Sequence, residues 1–181
     1  MMRRFITLQL FLNGFICLAF GKQYELDILE VEWNTTTPDL VDVKLKPVQP
    51  TRGVYGVSGY IEFKDDIDMD KTLAQVKIYY SSNGISFQLS PFRIPEQALT
   101  TGMNGPYKQY LMDGMVDCCE NAPLSDTFAT PLTKRVMKCE NCLFPSDNLP
   151  PTLRLGYYRL VILLYNDLDL SLSILLKLDL A

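Results

Sequence analysis

Apolar and polar residues alternate through the C-terminal part of the chain. Between residues 168 and 180 nearly every second position is Leu or Ile, and only Leu175 interrupts the polar positions between them. A repeat of two places these aliphatic side chains on one face of an extended strand. An apolar run at residues 157–165 precedes this stretch, and Asn166-Asp167 between the two supplies turn residues. The pattern predicts an antiparallel hairpin whose last strand has one face toward water.

Similar alternation recurs earlier and predicts further strands over residues 24–33, 41–45, 55–63, 76–80 and 85–89. The phase of the first strand changes between Ile28 and Leu29, which indicates a bulge. Gly56 and Gly59 in the third strand indicate a bulge or a close backbone approach. Asn83-Gly84 between two alternating runs predicts a tight hairpin. Another strand is predicted to lead into Cys139.

Only one helix is predicted, a short one over residues 107–116, where apolar residues fall at helical spacing. Residues 91–106 read as irregular. Short strands separated by turn signals predict an all-β fold, a two-sheet antiparallel sandwich or cup with an apolar interior and one short helix.

The first residues have the three parts of a secretory signal peptide. Met1-Met2-Arg3-Arg4 is followed by an apolar run and by small residues near Gly21. We therefore expect a signal over residues 1–21, a single domain over 22–181 and a protein secreted to the extracellular space. Without residues 1–21, Lys+Arg falls from 17 to 15 against 21 Asp+Glu, a net charge of −6. That acidity argues against a nucleic-acid partner.

Four cysteines follow the predicted signal, and an even number in a secreted chain predicts two disulfides. Neighbouring cysteines rarely bridge each other, so Cys118 and Cys119 are expected to pair with Cys139 and Cys142, in either order. A four-thiolate zinc site and a redox Cys-x-x-Cys are the alternatives. Asn34-Thr35-Thr36 is an acceptor sequence for N-glycosylation.

The chain contains no histidine, which removes Ser-His-Asp and Cys-His catalysis and histidine ligation of zinc. The acidic group Asp65, Asp66, Asp68 and Asp70 partly resembles a calcium loop, but Lys71 stands where that loop needs glycine. A solvated turn is the simpler interpretation. We therefore predict a protein that is not an enzyme and has no catalytic residues, cofactor or metal.

Three motifs resemble a known family. Residues 149–159 have the form L-P-x-x-L-x-x-G-x-Y-R, which resembles a loop and strand start of the ganglioside-activator type of lipid-binding protein. Together with the stretches Gly-Val-Tyr-Gly-Val-Ser-Gly at 53–59 and Pro-Leu-Thr-Lys-Arg at 131–135, it resembles more closely the insect chemosensory B (CheB) proteins, secreted relatives of that activator.

The resemblance implies a β cup around an apolar cavity, no catalysis, and a role in contact chemosensation of lipid-like pheromones. Its implied partners are an apolar small molecule and a chemosensory receptor or channel. This chain departs from the activator in having half as many cysteines and in carrying Thr152 where the activator has a membrane-contacting tryptophan. Membrane contact is therefore left open.

Residues on the apolar faces of the predicted strands are the candidates for lining the cavity: Tyr55, Val57, Ile61, Phe63, Ile85, Phe87, Leu89, Leu170, Leu172, Ile174 and Leu176. A closed sandwich core is the alternative role for each of them. At the level of function, the alternatives are a secreted protein-interaction module with a filled core and a lipid-transfer activator for another enzyme.

Overall fold

The computed structural model describes residues 24–144, 146, 149–150 and 152–180. The predicted signal peptide lies outside these residues. The strands are β1 Tyr24–Asn34, β2 Val41–Thr51, β3 Val54–Phe63, β4 Leu73–Ser81, β5 Gln88–Ala98, β6 Cys119–Glu120, β7 Arg135–Cys142, β8 Gly156–Tyr165 and β9 Leu170–Leu180. They form one five-stranded sheet in the order β1-β9-β8-β4-β5 and one four-stranded sheet in the order β2-β3-β7-β6. All pairs are antiparallel, and the predicted all-β two-sheet sandwich is confirmed.

The hairpin predicted at the C-terminal end is β8 and β9, and it lies at the centre of the five-stranded sheet. The bulge in β1 is also confirmed, because the pairing with β9 passes from Ile28 to Glu30 without Leu29. Leu175, the residue that breaks the alternation of β9, is buried on the outer face. It pairs with Glu30 and Arg159, whose side chains form an ion pair with an N···O distance of 3.7 Å.

Residues that pair across antiparallel strands share a face of the sheet, and four such rows cross the inner face of the five-stranded sheet between its helical end and a last row of Leu26, Leu178 and Gly156. They are row one, Ile28, Leu176, Tyr158, Tyr80 and Gln88; row two, Val31, Ile174, Leu160 and Ile78; row three, Trp33, Leu172, Ile162, Val76 and Ile94; and row four, Leu170, Leu164, Ala74 and Gln97.

Gly59 allows the smaller sheet to form. A Cβ at this position would lie 1.9 Å from the carbonyl oxygen of Lys44 on β2, and the φ angle of +140° is one that residues with a side chain rarely adopt. The close backbone approach predicted from the sequence is therefore present. The pairing with β7 also shifts between Val57 and Gly59, as in a bulge.

The connection between β4 and β5 differs from the predicted tight turn. Residues 82–87 form a six-residue loop, which the Asn83 side chain stabilises by accepting hydrogen bonds from the backbone N–H groups of Ile85 (3.0 Å) and Ser86 (3.2 Å). β5 then continues to Ala98 through a stretch expected to be irregular. Pro91 and Pro95 are compatible with this strand because it lies at the edge of the sheet, where a missing N–H breaks no ladder.

The helical segment is longer than the predicted 107–116. It comprises α1 (Leu99–Gly102), a π-helical turn (Met103–Tyr107), α2 (Lys108–Tyr110) and α3 (Met112–Cys118). Pro106 lies in the π-helical turn, where the wider winding accommodates a residue that would break a regular helix. Within the described residues, no helix combines the length and apolar character needed to cross a membrane.

The two sheets approach each other most closely where β1 faces β2 and β3. One buried cluster lies toward the helical end of the sandwich and includes Leu99, Met103 and Leu170. A second lies toward the opposite end and includes Tyr24, Tyr158 and Leu178. The region between these two clusters contains the candidate site.

Candidate apolar site between the sheets

Row two is the part of the inner face that is least well covered. Its four residues, Val31, Ile174, Leu160 and Ile78, are all aliphatic and all only half-buried, although two of them lie on the central strands of the sheet. Val31 and Ile174 pack against both buried clusters and therefore lie between them. In a fully packed sandwich, inward aliphatic residues at the sheet centre are buried. The partial exposure of row two makes it the candidate location of a space between the sheets.

The same partial exposure continues toward β5. In row three, Leu172 is buried, whereas Ile162, Val76 and Ile94 are half-buried. These three residues lie on β8, β4 and β5, so the partial exposure extends to that side of the sheet, while Trp33 at the β1 edge of the same row is 39% exposed.

The smaller sheet supplies the opposite wall. Val57 and Ile61 on β3 are half-buried; Ile61 packs against the cluster at the helical end, and Val57 packs against both clusters. Both walls are therefore aliphatic where the space lies. Such a surface can hold hydrocarbon but offers no group for acid–base or nucleophilic chemistry.

One end of the space is closed by the loop that leads into β8. The Tyr158 hydroxyl donates to the carbonyl of Arg154 (2.8 Å) and accepts from its N–H (3.1 Å), while Tyr80 donates to the carbonyl of Leu155 (3.0 Å). Tyr24 donates to the carbonyl of Leu153 at 3.4 Å. Burial raises the pKa of Tyr158, so its hydroxyl stays protonated in ordinary buffers. Three tyrosines thus fasten residues 153–155 to the end of the sandwich.

The helical segment closes the other end. Leu99 and Met103 are buried in the core, and the Tyr107 hydroxyl donates to the carbonyl of Pro123 at 2.8 Å. The Tyr107 ring contacts the edge of Phe128 with centroids 5.7 Å apart. Burial raises the pKa of Tyr107 to about 12.

Most of the residues predicted to line the interior lie on inner faces. Leu170, Leu172 and Leu176 are buried, Ile174 is half-buried in row two, and Val57 and Ile61 face them from β3. A further two predicted residues lie on the same strand, β3: Phe63 is buried in the core and Tyr55 is half-buried. That any of these residues contacts a ligand stays a prediction.

Ile85, Phe87 and Leu89 were expected to face the interior, and this expectation is wrong. Ile85 is 84% exposed in the β4–β5 loop, and Leu89 pairs with Tyr79 in an outer-face row and is 53% exposed. The Phe87 ring lies 5.2 Å from the Arg159 guanidinium, also on the outer face. The six-residue loop changes the phase of the hairpin, and a shift of one residue moves every side chain to the opposite face.

The half-buried inward residues absent from the predicted lining are Ile78, Val76, Leu160, Ile162 and Ile94. The alternation of Val76, Ile78 and Tyr80 could have identified the first two. Residues 157–165 gave no such signal, because β8 is apolar on both faces.

The predicted disulfides between the two cysteine pairs are confirmed, and the pairing order is Cys118–Cys142 and Cys119–Cys139. They join the end of α3 and β6 to β7. All four sulfur atoms are in these bonds, so none is a thiolate for zinc or a redox thiol.

The acidic group forms a hydrogen-bonded turn. Asp68 accepts from the N–H groups of Asp70 (3.1 Å) and Lys71 (3.3 Å), and its carboxylate pairs with the Lys71 ammonium at 3.0 Å. This ammonium lowers the pKa of Asp68. Asp66 accepts from the backbone N–H of Lys134 at 2.7 Å. The carboxylates of Asp66 and Asp68 thus stabilise the turn that precedes β4.

Two open grooves lie on the outside of the sandwich. One, of about 520 Å³, is lined by Glu32, Trp33, Asn34, Ser171 and Ser173, and the other, of about 790 Å³, lies beside the disulfides. The polar lining of the first groove suits an apolar ligand less well than the inner faces do.

Asn34 is exposed at the end of β1, so its amide is accessible to a glycosylating enzyme, and its glycosylation stays a prediction.

No protein-family model matches the chain, and no curated protein matches it. The resemblance to the CheB proteins therefore rests on the sequence motifs alone.

Proposed function

We propose that this protein is a secreted, non-enzymatic binding protein that holds an apolar, lipid-like ligand between its two sheets. The observation that carries the proposal is row two, a continuous line of half-buried aliphatic side chains at the centre of the inner face. Each buried methylene of a ligand chain would contribute about 0.8 kcal/mol on such a surface.

Two disulfides are consistent with an extracellular protein. The secretory signal predicted from the first residues supports secretion. The resemblance to the CheB proteins supports a role in detecting lipid-like pheromones in contact chemosensation, with a chemosensory receptor or channel as partner.

The experiment compares two neighbouring positions on β8. Leu160→Trp adds a ring on the inner face, whereas Val161→Trp adds the same ring on the outer face. Binding of a fluorescent fatty acid would be titrated for both variants and for the wild-type protein, together with thermal unfolding.

If the space is open, Leu160→Trp leaves the melting temperature near the wild-type value. It should raise the Kd of the probe at least about tenfold, which corresponds to a loss of about 1.4 kcal/mol of binding free energy. Val161→Trp, the control, leaves binding unchanged. A wild-type protein that binds no apolar probe would contradict the proposal. If the interior is filled, Leu160→Trp instead destabilises the protein by about 1–3 kcal/mol through overpacking.

A second candidate is a protein-interaction module. Three exposed aliphatic side chains lie at the loop end of the sandwich, where Ile85 is 84%, Leu180 51% and Leu155 44% exposed. Exposed apolar patches often mark protein contacts. A filled interior in the experiment above would favour this candidate, with the loop end docking on a receptor or another secreted protein.

A further inference from the structure

Two polar atoms at the helical end of the sandwich have no hydrogen-bond partner among the described residues. They are Nε2 of Gln97 and Oγ1 of Thr72, and both atoms are buried. Leaving a buried donor unpaired costs about 1–3 kcal/mol. An unpaired polar atom beside an apolar space is therefore a candidate for contact with a ligand.

Gln97 belongs to row four of the inner face. It pairs with Ala74 on β4, and Ala74 pairs with Leu164 on β8, which places the three side chains on one face. A bulge in β5 separates Gln97 from Ile94, which pairs with Val76, so both belong to this face. The Gln97 side chain thus borders the half-buried aliphatic residues that line the space.

The helical segment covers the other side of the amide. A Cβ on Gly102 of α1 would lie 3.6 Å from Nε2 of Gln97 and 3.9 Å from the Cβ of Ala74. Nε2 itself is buried against this turn, whereas Gln97 as a whole is half-buried, so the side chain lies at the border of the packed region. The terminal torsion of a glutamine side chain is broad, which lets the NH₂ group turn toward that space.

Thr72 lies close by along the same pair of strands. Its carbonyl accepts a hydrogen bond from the N–H of Leu99 at 2.8 Å, two residues after Gln97, and its side chain is fully buried. The polar atoms are thus concentrated at one end of an otherwise apolar face. Rows one to four contain no charged residue, and Arg135, which pairs with Phe63 on the facing sheet, donates to the carbonyl and hydroxyl oxygens of Thr133. These rows therefore offer a carboxylate or ammonium no ionic partner in exchange for its hydration.

We propose that the ligand is a long-chain molecule with a neutral oxygen function at one end, such as an ester, ketone or alcohol. The Gln97 amide donates a hydrogen bond to that oxygen, and the hydrocarbon chain extends along rows three and two toward the loop end. This inference rests on the proposed function and narrows it, because a plain hydrocarbon would leave the Gln97 donor unpaired.

The test measures displacement of a fluorescent fatty probe by hexadecane and by hexadecyl acetate. Three proteins are compared: the wild type, Gln97→Leu, and Gln75→Leu as a control on the outer face of β4. We expect the wild type to bind the acetate about tenfold more tightly than the alkane, the effect of one hydrogen bond and a satisfied donor. Gln97→Leu should bind hexadecane and hexadecyl acetate equally, and Gln75→Leu should keep the preference for the acetate.

Equal affinities in the wild-type protein, as expected if an ordered water already satisfies Gln97, would overturn the inference. A preference that survives in Gln97→Leu would also overturn it. In both cases the probe still binds, so the proposed function stands; a probe that fails to bind the wild type overturns the proposed function itself. Should Gln97→Leu fail to fold, Gln97→Met removes the same amide with less branching near the backbone.

Discussion

At the scale of single residues, the fold depends on positions where the backbone leaves no room for a side chain. Gly59 is the clearest, because its φ angle and the nearby carbonyl of Lys44 each exclude a Cβ. The position belongs to β3, whose half-buried Val57 and Ile61 form the wall opposite row two. A change there therefore affects the strand pairing and, through it, the candidate site.

We expect Gly59→Ala to destabilise the protein by about 3 kcal/mol or more, since backbone strain and a direct clash add. Gly105→Ala is the matched control, because its Cβ would meet nothing within 4 Å. Urea unfolding followed by circular dichroism measures both. Equal stabilities of the two variants would show that β2 and β3 are not paired in this register.

At the scale of elements, the sequence predicted strands where one face is wet and was less informative elsewhere. The alternation of β9 and the phase change in β1 identified both strands and their bulge, because burial on one face fixes register. The tight turn predicted between β4 and β5 is wrong. Asn83-Gly84 is typical of a two-residue turn, but here the Asn83 side chain stabilises a six-residue loop. The partial exposure of row two depends on the distance between the sheets, which no local pattern encodes.

The helical segment was only partly predicted, because Gly102, Gly105 and Pro106 obscure its first turns. Its attachment depends on Tyr107, whose hydroxyl binds the carbonyl of Pro123. Burial keeps the Tyr107 hydroxyl protonated at pH values where an exposed tyrosine would ionise. The pH dependence of the free energy of unfolding therefore tests whether Tyr107 is attached in this way.

The folded protein retains the Tyr107 proton up to a pKa of about 12, whereas the unfolded chain loses it near the ordinary value of 10.0. The unfolded state therefore binds fewer protons in that interval, and stability falls as pH rises through it. We expect thermal unfolding between these pH values to show a smaller decline for Tyr107→Phe than for the wild type. Tyr165, whose pKa is also raised to about 12 by its hydrogen bond to Glu96, remains in both proteins. If the stability of the wild type and of Tyr107→Phe declined equally over this pH interval, Tyr107 would be in contact with solvent.

At the scale of the whole molecule, the two disulfides fasten the helical segment to the smaller sheet. Cys118 ends α3 and Cys119 begins β6, and both are bonded to β7. The larger sheet has no such bond among the described residues, so its position relative to the helical segment depends on packing. The bridges therefore strengthen the helical end of the sandwich.

We expect partial reduction, alkylation and mass spectrometry to show the links Cys118–Cys142 and Cys119–Cys139; the crossed pairing would contradict the structure. Removing either bridge by a double Cys→Ser substitution should cost about 2–4 kcal/mol. The two double variants should differ little, because the bridged residues are separated by 24 and 20 positions. Urea unfolding measures both costs.

The outermost strands of the two sheets have a consequence for behaviour at high concentration. Prolines interrupt β2 and β5, β6 is only two residues long, and the outer face of β1 carries a line of acidic side chains, Glu25, Asp27, Glu30 and Glu32. Each feature hinders the addition of another extended chain, the step by which amyloid fibrils grow. The four edge strands described therefore all disfavour self-association through strand addition.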